Sequence, residues 1–128
     1  MEDQDKRFSP TVIAHAKRPH NAGEMEDCDA YGVGGDLTQG ESIVLFIKVR
    51  EDTITDCTFL AQGCSSAIAA GSMTTELIKD KTLAEAAALT APQLVEALGG
   101  LPAVKLPSAD LAIQAIQDAL SRYAATEK

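Results

Sequence analysis

Hydrophobic and polar positions alternate most clearly in Ser42–Val49. Ile43, Leu45, Ile47 and Val49 fall on one face at a period of two, while Val44 and Phe46 occupy the other before it turns charged at Lys48 and Arg50. This predicts a strand with one face given to a core. Glu51-Asp52 is a turn signal, and Thr53–Leu60, rich in Thr, Ile and Phe, reads as the returning strand of a hairpin. A further strand around Ala30–Val33 would pair at the edge. Otherwise Arg18 to Thr38 reads as one long irregular loop, punctuated by Pro19, Gly23 and the Gly32–Gly35 cluster, and loops of such length are often functional.

After Gly63-Cys64 the period changes from two to that of a helix. Ile68, Ser72, Thr75 and Ile78 recur at helical spacing with Met73 and Leu77 beside them, and Ser65 and Ser66 are cap candidates. Ser9-Pro10, near the start, reads as a cap followed by proline at the first helical position, opening a short helix to about Ala16. Thr82-Leu83-Ala84-Glu85 and Thr90-Ala91-Pro92-Gln93 each fit a capping box, and the second of these helices ends at Gly99-Gly100. Leu101–Pro107 reads as an extended, proline-stiffened linker. Ser108 then caps a last helix striped by Ala112, Ala115, Ile116, Ala119, Leu120 and Tyr123. Strands first and helices afterwards predict an α+β fold: a small antiparallel sheet with helices packed on one face. A single domain over residues 9–124 is expected, between a disordered charged segment (1–8) and a short tail (125–128).

Composition narrows the function. A chain of 128 residues supports one core, and with no Trp and few aromatics that core must be aliphatic and Ala-rich. The net charge of −8 argues against nucleic acid, which needs a basic face, and suits a positively charged protein partner. No run of about 18 apolar residues exists to span a membrane. Met1-Glu2-Asp3-Gln4-Asp5 is acidic and lacks the apolar run of a secretory leader. Three cysteines, odd in number and without framework spacing, fit a reducing compartment, so the cytoplasm is the expected location.

Cys64 carries the most chemistry. It lies in a glycine-marked turn at the mouth of a helix, where free N–H groups and the positive dipole end favour a thiolate and suit a metal-ligating sulfur. One thiolate cannot hold a metal cluster alone. Cys57 alternates with Thr55 and Phe59 on its strand, so a small buried hydrophobe is expected there. Cys28, in the long loop, has no spacing that ties it to Cys64. His15 and His20 read as structural polar residues.

Gly40-Glu41, Ile47-Lys48-Val49, Asp56-Cys57-Thr58-Phe59 and Gly63-Cys64-Ser65-Ser66-Ala67-Ile68-Ala69 follow one another in an order that resembles the NifU/IscU-type iron–sulfur cluster assembly scaffold family. Met73–Thr82, Gly99-Gly100-Leu101-Pro102 and the helix ending at Tyr123 continue the likeness. His15, Pro19, Asn21 and Gly23 are similar to that family's H…PRNxG segment, with His20 in place of the arginine. The resemblance covers roughly residues 9–123 and implies a NifU/IscU-like fold that is not an enzyme. It also implies three ligand cysteines, helped by an aspartate and often a histidine. Here Gln39 stands for the first cysteine, Glu41 for the aspartate, Cys64 for the second cysteine and Pro107-Ser108 for the His-Cys pair.

The implied site is therefore reduced to Cys64 and Glu41, with Asp36 and Asp110 as the further carboxylates that could complete it. Its cargo would be iron, sulfur or an iron–sulfur cluster, or a zinc ion. The alternative is a ligandless paralogue that serves as a binding module. A cysteine desulfurase is the implied partner. Leu101-Pro102-Ala103-Val104-Lys105 resembles the LPPVK segment through which scaffolds engage an Hsp70-type chaperone, so Leu101, Pro102, Val104 and Lys105 are the candidate contacts. Both a monomer and a homodimer are compatible with the chain.

Overall fold

The computed structural model describes residues 8–126. The rest of the segments read as N-terminal disorder and tail, residues 1–7 and 127–128, lie outside the described residues. Phe8, read with the disordered segment, packs against the core. Helix α1 (Pro10–Lys17) comes first, capped by Ser9, whose hydroxyl accepts the Val12 N–H at 3.0 Å. Strands β1 (Ala30–Gly35), β2 (Ser42–Arg50) and β3 (Thr53–Gln62) then form one antiparallel sheet in the order β1-β2-β3. Helices α2 (Ser65–Ile78), α3 (Leu83–Ala88), α4 (Ala91–Ala97) and α5 (Pro107–Thr126) follow. Among the described residues no helix is long and apolar enough to cross a membrane.

Register shows how the helices sit. Gly32 pairs with Leu45, and Leu45 with Phe59, so all three share one face of the sheet. A Cβ on Gly32 would fall 2.1 Å from the Ala115 carbonyl oxygen of α5, and one on Gly34 would fall 1.9 Å from that of Leu111. On α2, a Cβ on Gly71 would fall 2.4 Å from the Phe59 ring. Helices α5 and α2 therefore lie on the same face, brought close to the strands where side chains are missing. Ala67 and Ala70 of α2 and Ala112, Ala115 and Ala119 of α5 are all buried, which keeps this approach tight. The expected α+β layering is the one observed.

Several local expectations change. The edge strand expected around Ala30–Val33 is present and runs on to Gly35, taking in Gly34-Gly35 from the loop, because the bare backbone at Gly32 and Gly34 is what α5 packs on. Residues 21–23, also read as loop, cover the outer edge of β3: Gly23 N–H donates to the Phe59 carbonyl at 2.8 Å and Phe59 N–H to that of Asn21 at 3.1 Å. Cys64, not Ser65 or Ser66, occupies the cap position of α2, and its side chain makes no capping bond. The 101–107 linker is not extended throughout; Ala103–Lys105 tightens into a 3-10 turn, and α5 opens at Pro107. Ser108 is thus inside the first turn rather than its cap, since proline fits the first helical position. Helix α5 also runs past residue 124 to Thr126. Both capping boxes form, Thr82 with Glu85 and Thr90 with Gln93.

Candidate functional site

Three chain segments meet at one end of the sheet. Glu41 immediately precedes β2, Cys64 ends the turn between β3 and α2, and Lys105 and Ser108 flank the start of α5. Ser42 pairs with Gln62, which places Glu41 beside Gly63-Cys64 across the β2–β3 ladder. Gly63 has a φ of +132°, and a Cβ there would fall 2.6 Å from Glu41 Cγ. Only glycine satisfies both conditions, so the turn that carries Cys64 is also the space in which Glu41 lies.

The side chains form a bonded group. Cys64 Sγ donates to Glu41 Oε2 at 2.6 Å, and Ser108 Oγ donates to Glu41 Oε1 at 3.1 Å. Ser66 Oγ lies 2.8 Å from Ser108 Oγ and 2.9 Å from Cys64 Sγ. Lys105 Nζ donates to Cys64 Sγ at 3.4 Å. Cys64 is half-buried, whereas Ser108 is 1% exposed and Ser66 fully covered. The thiol is held between a carboxylate and an ammonium at the open edge of a buried hydroxyl pair.

Cys64 and Glu41 are thus brought together as the sequence predicts, and Ser108 lies with them. The other candidates are elsewhere. Asp36 is turned into its own loop, where it accepts from both the N–H and the hydroxyl of Thr38, and these bonds hold its carboxyl below the usual range. Asp110 lines a shallow apolar groove with Ala91, Pro92, Val95, Glu96 and Leu106. Gln39 is exposed, its backbone N–H bonded to the Asp36 carbonyl. Cys57 is 0% exposed, donates to the Thr75 carbonyl at 3.2 Å, and burial pushes its thiol up to about 12. Cys28 lies just before Ala30, which pairs with Ile47, so five residues of β2 separate it from the Ser42 end, roughly 17 Å at about 3.3 Å per residue. It cannot join Cys64.

His15 and His20 meet each other instead, with ring centroids 4.6 Å apart. His15 Nδ1 lies 2.7 Å from Ser72 Oγ, and His20 Nδ1 lies 3.2 Å from Glu76. Burial, then the neighbouring His20, lowers the pKa of His15 against the opposing pull of Glu76. Ser72 is two turns along α2 from Cys64, about 12 Å at 1.5 Å per residue, so this pair clips α1 to α2 and takes no part in the thiol site.

Of the candidate chaperone contacts, Val104 is 73% exposed. Leu101 packs against the core, Pro102 is half-buried, and Lys105 turns back onto Cys64. Sequence reasoning missed Lys105 and Ser66 as members of the site. The 3-10 turn that returns Lys105 leaves no periodic signal. Ser66 has one, standing two residues after Cys64 in a helix mouth, but a serine there fits a helix cap equally well.

The donor set does not fit a cluster held by this chain alone. Iron–sulfur clusters and structural zinc take several thiolate, imidazole or carboxylate ligands, typically four. Among the described residues no three Cys, His, Asp or Glu side chains are grouped to hold a metal ion. An ammonium cannot ligate, and the Ser108 hydroxyl is already spent on Glu41.

A three-stranded antiparallel sheet, helices on one face and a thiol–carboxylate pair where β2, α2 and α5 meet define a small α+β protein with one half-buried thiol site. The chain belongs to the NifU-like N-terminal domain family, whose model matches residues 7–128. It is 40% identical over 116 residues to the iron–sulfur cluster assembly scaffold protein IscU 1 of Archaeoglobus fulgidus, covering 91% of this chain and 76% of that one. It is 36% identical over 118 residues to the scaffold protein IscU of Aquifex aeolicus, covering 91% and 75%. The crystal structure of the N-terminal part of a nitrogen-fixing NifU-like protein from Brucella abortus shares the fold, with a TM-score of 0.58 at 18% identity, covering 96% of this chain and 86% of that one.

Proposed function

We propose that the chain works in iron–sulfur cluster assembly as a scaffold-family carrier that binds iron or sulfur at the reduced site around Cys64. The observation that carries this reading is the convergence of Cys64 Sγ on Glu41 Oε2 at 2.6 Å, one soft and one hard donor at a half-buried edge. That pair can hold a single iron ion weakly or present one sulfur for loading. It offers no second thiolate for a cluster, which would need ligands from a partner. The role is that of a carrier rather than an enzyme.

A cysteine desulfurase is the natural donor of sulfur to such a thiol, in the cytoplasm, where thiols stay reduced. The exposed Val104, at the tip of the turn that resembles the chaperone segment, supports an Hsp70-type partner gripping that turn.

A second reading is a ligandless module that only docks these partners. It is favoured by the way Glu41, Cys64, Ser66 and Ser108 satisfy one another's hydrogen bonds. Persulfide labelling with a cysteine desulfurase and free cysteine separates the two readings. The carrier reading expects label on Cys64 that disappears in Cys64→Ser, together with ferrous iron binding that Glu41→Gln weakens several-fold. If the native chain takes neither label nor iron yet still binds the desulfurase, the ligandless reading replaces it.

A further inference from the structure

Lys105 Nζ sits 3.4 Å from Cys64 Sγ, and both side chains are half-buried. No other thiol of the chain can reach this sulfur: Cys57 is sealed in the core against the Thr75 carbonyl, and Cys28 is at the other end of the sheet. An oxidised Cys64 therefore has no cysteine of its own chain to resolve it. Among the described residues, the side-chain amine placed beside it is that of Lys105. We propose that peroxide oxidation of Cys64 produces a reversible covalent Cys64–Lys105 link, a sulfenamide, which makes the site redox-sensitive.

The chemistry balances in two steps. First, Cys64 Sγ attacks a peroxide oxygen; the S–O bond forms and the O–O bond breaks. The sulfur loses two electrons to hydrogen peroxide. The thiol proton, which Glu41 Oε2 already accepts in a hydrogen bond, passes to the departing hydroxide as water. Second, Lys105, its ammonium proton released to solvent, attacks the sulfenic sulfur. The S–N bond forms and the S–O bond breaks, and hydroxide leaves with one amine proton as water. This second step involves no net oxidation. An added thiol reverses the link: its sulfur attacks Cys64 Sγ, an S–S bond forms as the S–N bond breaks, the thiol proton returns to the amine, and a second thiol then releases Cys64 from the mixed disulfide.

The link would remove the charge of Lys105 and tie the Ala103–Lys105 turn to the start of α2. It also protects the sulfur from irreversible sulfinic and sulfonic acids. This chemistry needs neither iron nor a partner, so its failure leaves the carrier reading untouched, and failure of the carrier reading leaves it standing.

Metal-free protein treated with hydrogen peroxide, digested with a protease that does not cut at lysine and analysed by mass spectrometry tests the proposal. The expected product is a peptide pair joining residues 64 and 105, lighter than the sum of its parts by two hydrogens and released by dithiothreitol. Lys105→Arg, which keeps the charge but removes the amine, should lose the link and carry several-fold more dimedone-trapped sulfenic acid and sulfinic acid at Cys64. Lys105→Met, with circular dichroism to check its fold, should behave as the arginine variant does. The proposal is overturned if the native chain gives only over-oxidised Cys64, a Cys64–Cys64 disulfide between two chains, or a cross-link that keeps the peroxide oxygen. It is also overturned if both lysine variants trap no more sulfenic acid than the native chain.

Discussion

Cys57 and Cys64 lie on either side of one strand end and have opposite surroundings. Cys64 faces a carboxylate, an ammonium and a hydroxyl at a half-buried edge. The Cys57 thiol donates to a carbonyl in the core, and burial, aided by Asp56, pushes it from an ordinary 9.0 up to about 12. A thiol is neutral when protonated, so the fold holds this proton to higher pH than the unfolded chain does. Between those two values the unfolded state binds fewer protons, and stability falls as pH rises. Urea midpoints followed from neutral into alkaline solution should therefore decline for the native chain and decline less steeply for Cys57→Ala. That variant should start about 1 kcal/mol less stable at neutral pH, having lost a small buried side chain. Equal slopes in the two proteins would mean that Cys57 is not what titrates. The different fates of the two cysteines were legible in the sequence, one from strand alternation and the other from its place at a helix mouth. The partners of Cys64 were only half legible. Glu41 followed from the family pattern, whereas Lys105 and Ser66 depend on how a short turn folds back and how a helix opens, which no periodicity records.

Elements were read well where a single residue type had one use. The capping boxes at Thr82 and Thr90, the Ser9-Pro10 start and the β2–β3 hairpin all appear where expected. The Glu51-Asp52 turn has both residues at positive φ, as a type I′ two-residue hairpin turn requires. Glycine misled because it has more than one use. Gly34-Gly35 looks like the return to loop after the edge strand expected at Ala30–Val33, but β1 runs on through it, and with Gly32 it forms the groove in which α5 lies. The close approach is a tertiary fact and has no local signature. It yields a sharp expectation: Gly34→Ala places a methyl 1.9 Å from the Leu111 carbonyl oxygen, and backbone cannot yield as a flexible side chain would. The helix must lift from the sheet, at a cost of about 3 kcal/mol. Gly40→Ala has no atom within 4 Å to meet and should cost far less, only the strain of a positive φ. Chemical denaturation of the two variants compares them directly; similar losses would mean that α5 is not seated on β1 as described.

At the scale of the molecule, the family fold is present, while the ligand set that the resemblance implies is incomplete in this chain, and the two can be separated by experiment. The resemblance assigns the missing thiolates to positions 39 and 108. Ser108 Oγ is already 3.1 Å from Glu41 Oε1 and linked through Ser66 to Cys64, so a sulfur there would join the site without moving the backbone. Gln39 is exposed in the loop two residues before Glu41, which leaves its replacement free to turn inward. Gln39→Cys combined with Ser108→Cys should therefore develop thiolate-to-iron charge-transfer absorbance on anaerobic reconstitution with iron and sulfide, while the native chain develops little. Each single replacement should fall between the two, because three cysteine ligands are more than additive when a cluster needs nearly all of them. Circular dichroism distinguishes failure to bind from failure to fold. A folded double variant that stays colourless would show that the loop from Asp36 to Glu41 cannot deliver a ligand to Cys64. The reduction of the site would then be a matter of backbone path and not only of which side chains it carries.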